Sequence, residues 1–146
     1  MGRARWPAGV RITDEPDATE ADCEAVLRGL RAFNEPLIGR AGHAPLNLFV
    51  RDATEVVVGG LVGEYHWHWL FVDLLWVSDT LRGLGIGTAL MQTAEDAARA
   101  RGCVGLYLDT LEFQARPFYE RMGLEVFGVL EDYPPGHTRY FMRKRF

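Results

Sequence analysis

The feature that most constrains this chain is the stretch Val77-Ser78-Asp79-Thr80-Leu81-Arg82-Gly83-Leu84-Gly85-Ile86-Gly87-Thr88-Ala89-Leu90. An apolar run over residues 71–77 leads into a short polar turn, then into a glycine-rich bend that opens a helix at about Ile86. Glycines at alternate positions leave the backbone uncovered, so neighbouring N–H groups can converge on one small space. The helix start adds its own unpaired amides and a partial positive end of roughly half a charge. With Arg82 at the rim, the bend suits a phosphate or pyrophosphate.

Spacing narrows the kind of site. A Walker loop needs Lys-Ser/Thr after its last glycine, but Gly87 is followed by Thr88-Ala89. A dinucleotide fingerprint reads G-x-G-x-x-G, whereas Gly83, Gly85 and Gly87 read G-x-G-x-G. It would also need an acidic ribose contact about twenty residues on, where Gly102-Cys103-Val104-Gly105 offers none, which disfavours a nucleotide-binding oxidoreductase. The segment Arg82 to Gly87 reads Arg-x-x-Gly-x-Gly and resembles the coenzyme A pyrophosphate loop of the GNAT N-acetyltransferases. Taken alone, a glycine-rich strand-to-helix turn also has a purely steric reading.

The chain around the loop is organised to match. The helix after it places Ile86, Ala89, Leu90, Thr93, Ala94 and Ala97 on one face and the pair Glu95–Arg99 on another, and Gly102 ends it. Residues 104–109 then read as a buried strand, parallel to the one ending at Val77. Ligands of such a βαβ unit bind beyond the carboxyl ends of its strands. A second motif follows. Ala115, Phe118, Tyr119, Gly123 and Leu124 match, position by position, the GNAT signature Ala-x-x-φ-Tyr-x-x-x-Gly-φ, where φ is apolar. That family often carries Asn three residues before the alanine; this chain has Glu112.

The resemblance covers residues 46–146, and the first third by topology. It implies one α/β domain over 1–146: a mixed, mostly antiparallel sheet with one parallel pair splayed at the coenzyme site, flanked by helices. It implies acetyl-CoA as cofactor, held by Leu75, Trp76, Val77, Arg82, Gly83, Leu84, Gly85, Ile86, Gly87, Thr88, Asp109, Ala115, Phe118 and Tyr119. In the family the tyrosine faces the thioester sulfur, so Tyr119 is the candidate general acid, phenol and thiol pKa values lying within about two units. An alkylamine arrives protonated, with a free pKa near ~10, and needs a base. Asp73, four residues before Val77, is the first candidate, followed by Glu64 and His66. A backbone N–H near Val77 would face the oxyanion. A non-catalytic acyl-CoA-binding domain of the same fold is the alternative.

The flanking segments add acceptor-side candidates. Residues 10–13 read as a first strand, and Thr19 caps a helix whose apolar face holds Cys23, Val26, Leu27, Leu30 and Phe33. Pro36 and the glycines at 39–42 break it before a second, shorter helix. In the family this segment sits over the acceptor, so Phe33, Asn34, Glu35 and His43 are substrate-side candidates. Residues 46–51, 56–69 and 71–77 form an antiparallel meander, with Gly59-Gly60 marking a bulge or a close backbone approach. His66 and His68 share a strand face, but no third metal ligand has suitable spacing, and polar side chains beside a hairpin turn are the simpler reading. Residues 126–130, a stiff Pro134-Pro135-Gly136 turn and residues 139–146 close the chain, holding Tyr133 and His137 in defined places. In the family this hairpin borders the acceptor, which makes both substrate-side candidates; an ordinary rigid hairpin is the other reading.

Charge and composition bound the partners. A net charge of −4 disfavours nucleic acid and is permissive for cationic substrates. Aromatic and acidic residues near the presumed site favour a small-molecule cationic amine, with a protein lysine or N-terminus as the open alternative. No apolar run reaches transmembrane length, and the opening Met1-Gly2-Arg3-Ala4-Arg5-Trp6-Pro7 lacks the apolar core of a secretory leader. Cys23 and Cys103 have no metal-ligand spacing and suit a reducing cytoplasm. A sheet edge at the C-terminus is compatible with a homodimer.

Overall fold

The structure, a computed structural model, describes residues 6–146; the opening residues 1–5, on which the reading of no leader partly rests, lie outside it. By internal contacts the chain divides into Met1–Arg40 and Ala41–Phe146.

The first unit carries helix α1, Glu20–Ile38. Thr19 and Asp22 form a reciprocal capping box, each side chain accepting from the other's backbone N–H at 3.3 Å. The expected break at Pro36 does not occur. Proline forfeits one backbone bond, but Gly39 N–H closes the last turn on the Glu35 carbonyl at 2.9 Å, at a φ of 76° that suits glycine. The second, shorter helix expected directly after it is not there: the chain goes from Ile38 to a strand that starts at Ala44. Residues 10–13 are not a strand: the Val10 N–H turns back onto the Pro7 carbonyl, and no neighbouring strand pairs with the segment. Cys23 is exposed rather than buried.

The second unit is a six-stranded sheet: β1 Ala44–Arg51, β2 Val57–His66, β3 Trp69–Val77, β4 Gly105–Leu111, β5 Glu125–Glu131 and β6 Thr138–Arg145. Helices α2, Ile86–Ala100, and α3, Arg116–Arg121, complete it. The strand order is β1-β2-β3-β4-β6-β5, with every pair antiparallel except β3–β4. The fold is thus the mixed α/β sheet that the motifs imply. The closing strand β6 lies between β4 and β5, so it is not the sheet edge expected for the C-terminus.

Two ladder irregularities matter. The β1–β2 register skips Val58, directly before Gly59, and a Cβ on Gly60 would stand 2.6 Å from the Leu48 carbonyl oxygen. The glycine pair therefore marks both a bulge and a close approach. In the β2–β3 ladder Gly63 faces Val72 and Val62 faces Leu74, leaving Asp73 as an extra residue. β2 ends at His66, because Trp67 and His68 form a two-residue turn at φ 43° and 63°. The run 56–69 is accordingly not one strand, and His66 and His68 do not share a face.

α2 packs Leu90, Met91, Ala94, Glu95 and Ala98 against strand residues Leu61, Leu70, Leu106, Leu108 and Met142. This stripe is rotated from the expected one, for Ala89 and Thr93 are exposed and Glu95 is buried. Lys144 Nζ, at 2.7 Å, and Arg99, at 2.8 Å, both hold the Glu95 carboxylate, which removes the cost of burying an unpaired charge.

Candidate active site

The parallel β3–β4 pairing ends where the bulge begins. Its last register pair is Val72 and Leu108, yet β3 runs on to Val77 and β4 to Leu111. The two strand ends therefore diverge. The Ser78 N–H bonds the Val58 carbonyl at 2.9 Å. By alternation the Trp76 and Leu74 amides also face β2, while those of Leu75 and Val77 face the side from which β4 has departed. Among the described residues no strand there receives them.

A cleft of about 750 Å³ fills the divergence. Past β3 the chain makes a short 3-10 turn, Asp79–Leu81, and Arg82 folds back over it. The Arg82 Nε donates to the Val77 carbonyl at 3.3 Å and its guanidinium pairs with Asp79 at 2.9 Å, so the arginine is held at the rim. Gly83 and Gly85 take φ of 76° and 81°, which a side chain would strain. Gly85 caps α2 without a side chain, and the first helical donor is Ala89, bonded to the Gly85 carbonyl at 3.0 Å. The amides of Ile86, Gly87 and Thr88 thus have no partner within the helix. They open on the cleft beside Arg82 and Arg121, a donor set suited to an anionic group.

Of the coenzyme-side residues expected from the sequence, Leu75, Trp76, Val77, Arg82, Gly83, Gly85, Ile86, Gly87, Thr88, Asp109, Ala115, Phe118 and Tyr119 line this cleft; Leu84 does not. Asp73, the bulged residue, also lines it, exposed and without a hydrogen-bond partner among the described residues. Tyr119 is buried on α3. Burial first, and the Asp109 charge second, push its hydroxyl up to about 12, so it carries its proton throughout the neutral range.

Other candidates stand elsewhere. Glu64 pairs with His43 at 2.7 Å outside the cleft lining. His66 faces Trp69 at the far end of β3, eight residues from Val77, which is about 26 Å of strand. Phe33 belongs to the first unit. Tyr133 and His137 lie in the β5–β6 turn, outside the lining but tied to it. The His137 Nδ1 meets Glu112 at 2.7 Å, so the residue that stands where the family often has Asn anchors this turn. Sequence reasoning missed Arg139, Phe113, Gln114 and Arg121. Arg139 grips Asp109 with two bonds, at 2.9 and 2.8 Å, from a strand thirty residues away, and no local pattern announces it.

The sequence model of the acetyltransferase (GNAT) family matches residues 12–124. An acetyltransferase of Agrobacterium fabrum is 38% identical over 131 residues, 89% of this chain and 96% of that protein. The blasticidin-S acetyltransferase of Streptomyces morookaense is 46% identical over 89 residues, 60% of this chain and 65% of that protein. A crystal structure of an acetyltransferase from Bacillus cereus superposes with a TM-score of 0.82 at 28% identity, covering 92% of this chain and 98% of that one. The chain belongs to the GNAT acetyltransferase family.

Proposed function

We propose that this acetyltransferase uses acetyl-CoA as donor and a primary amine, of the small cationic kind, as acceptor. The observation that carries the reading is the coincidence, in one cleft, of uncapped α2 amides, two unpaired β3 amides, an exposed carboxylate and a buried phenol. Arg82, Gly83, Gly85 and the amides of residues 86–88 would hold the pyrophosphate, and Ala115 and Phe118 would line the arm. Bound there, acetyl-CoA would supply an acetyl group activated as a thioester. Asp73 takes a proton from the ammonium group, freeing the lone pair that forms the N–C bond. The Leu75 and Val77 amides would supply donors to the carbonyl oxygen of a thioester held there. As the C–S bond breaks, Tyr119 would give its proton to the departing sulfur, and the second amine proton, made acidic once the N–C bond has formed, would pass through solvent to restore the phenol. The burial that raises the phenol acts also on a thiolate formed beside it, which keeps the two proton affinities comparable. The relative named for blasticidin S supports a small-molecule acceptor.

The test is calorimetric titration with acetyl-CoA, with desulfo-CoA and NADH as controls, followed by thiol release across an amine panel. Binding that is lost in an Arg82→Ala, Gly85→Asp variant, together with turnover of one amine class, is expected. Binding without turnover of any amine would favour the non-catalytic acyl-CoA-binding reading. Tyr119→Phe should lower kcat about a hundredfold while coenzyme affinity stays within twofold; an unchanged kcat refutes the acid role.

A further inference from the structure

Asp109 is the one acidic residue of the cleft floor whose carboxylate is already committed, and the group that commits it lies on another strand. Asp109 sits on β4 just past the last parallel pair, and Arg139 sits on β6 opposite Leu111. The guanidinium fork closes on both carboxylate oxygens, Nε to Oδ1 at 2.9 Å and Nη2 to Oδ2 at 2.8 Å, with both side chains only 25% exposed. The fork is itself held, with the Tyr133 ring 4.7 Å from Arg139 Cζ and the Phe141 ring 5.1 Å away. A bidentate pair stacked on aromatic rings is a geometry that lysine cannot reproduce.

The charged groups that line the cleft with Tyr119 are Asp73 on β3, Arg82 of the loop, Asp109 on β4 and Arg121 on its own helix, with Arg139 of β6 gripping Asp109. Arg116 and Glu120 close on each other, and the Asp109 charge is the one that acts on the phenol. The Tyr119 hydroxyl has no protein acceptor among the described residues, which leaves its proton available to the cleft. A bare Asp109 carboxylate would change that. Its lone pairs would compete for the phenol proton, and its uncompensated charge would oppose any negative charge formed nearby.

We propose that Arg139 is a positioning residue for Tyr119: by gripping both Asp109 carboxylate oxygens it occupies their lone pairs and keeps the phenol proton free for the cleft. The inference rests on the reading of Tyr119 as proton donor in the proposed reaction. It also gives the β5–β6 turn a task, because Tyr133 reaches the chemistry through Arg139 rather than by touching the acceptor.

The experiment combines kinetics with carbon-13 NMR of tyrosine-labelled protein at neutral pH, the Tyr119 Cζ resonance being assigned by its loss in Tyr119→Phe. Arg139→Ala should lower kcat at least tenfold, leave the acetyl-CoA dissociation constant within about threefold, and shift the Tyr119 Cζ resonance as the freed carboxylate draws the phenol proton. Arg139→Lys should rescue poorly. The double variant Arg139→Ala, Asp109→Asn should recover most of the rate, because a neutral amide needs no counter-charge; a merely structural arginine would not be rescued by removing its partner's charge. In a Tyr119→Phe background, Arg139→Ala should cost little more. A double variant no faster than Arg139→Ala, or a Tyr119 resonance unmoved in Arg139→Ala, overturns the proposal. An unchanged kcat in Tyr119→Phe instead overturns the proton-donor reading, and the resonance shift then stands or falls separately.

Discussion

Gly87 and Gly85 sit two residues apart in one loop, and the structure assigns them opposite responses to the same added methyl. Gly87 is the second residue of α2 with ordinary helical backbone, and a Cβ built there meets the Phe118 ring at 3.6 Å, a normal contact. Gly87→Ala should therefore stabilise the fold, by about 0.5 kcal/mol from helix propensity, or roughly 1–2 °C in Tm for a chain of this size. The same methyl projects toward Phe118 inside the cleft, where a pyrophosphate must approach the α2 amides. The acetyl-CoA dissociation constant should weaken at least about tenfold, a loss near 1.4 kcal/mol. Gly85→Ala meets nothing within 4 Å, but its φ is 81°. Its cost is backbone strain of about 1–2 kcal/mol, lowering Tm by roughly 2–8 °C. Thermal melts followed by circular dichroism read the stabilities, and calorimetry reads the binding. A Gly87→Ala protein that melts higher yet binds acetyl-CoA as the parent does would refute the argument that this glycine exists for close approach. One that melts lower would refute the helix argument.

Three further outcomes are expected. Asp73→Asn should lower kcat by about a hundredfold with acetyl-CoA affinity unchanged, read from steady-state rates and calorimetry. For Glu95, burial raises the carboxyl, but the bonds from Lys144 and Arg99 outweigh it and hold the group below its ordinary value. A depressed carboxyl contributes stability above the unfolded-state pKa, near ~4.3, and loses it as pH falls through the folded one. Melts from pH 7 down to 3 should therefore show less acid sensitivity in Glu95→Gln, at a cost of about 1–3 kcal/mol at pH 7. A Cβ on Gly105 would lie 2.5 Å from the Lys144 carbonyl oxygen and 2.6 Å from the Trp69 ring, so Gly105→Ala should lower stability by about 2 kcal/mol or more in urea unfolding.

What could be read from the sequence was what is local. The glycine loop, the α2 start at Ile86 and its end before Gly102, and the Ala115 to Leu124 motif each follow from residues within a dozen positions. The parallel β3–β4 pair followed from the helix between its strands. The failures are non-local. Glu95 was placed off the apolar face, with Arg99, because its other counter-charge, Lys144, comes from the last strand. His66 seemed close to the cleft because the turn at Trp67-His68, at positive φ without a glycine, carries no glycine signal. Arg139 was invisible because only the insertion of β6 beside β4 brings it to Asp109.

The bulge at Asp73 belongs to the same class, and the whole site depends on it. The residues 72–75 read Val-Asp-Leu-Leu, with no glycine or proline to advertise an extra residue. Before it Leu70 and Val72 point into the α2 core, and after it Leu75 and Val77 are half-buried while Asp73 and Leu74 are both exposed. One inserted residue has thus shifted the strand's alternation. A bulged strand also bends and twists more strongly, which fits the loss of β4 pairing beyond Val72. That loss frees the Leu75 and Val77 amides and opens the space that the cleft occupies. Carboxylate, amide donors and cleft are consequences of a single backbone event rather than three separate acquisitions. Deleting Asp73 would re-register β3 and remove all three together, so it could not report on the base. Asp73→Asn keeps the residue count, and with it the bulge, the amides and the cleft, and takes away only the charge. If that variant turned over at the parent rate, the bulge would still explain the opening of the site, but the carboxylate on it would have no part in the proton transfer.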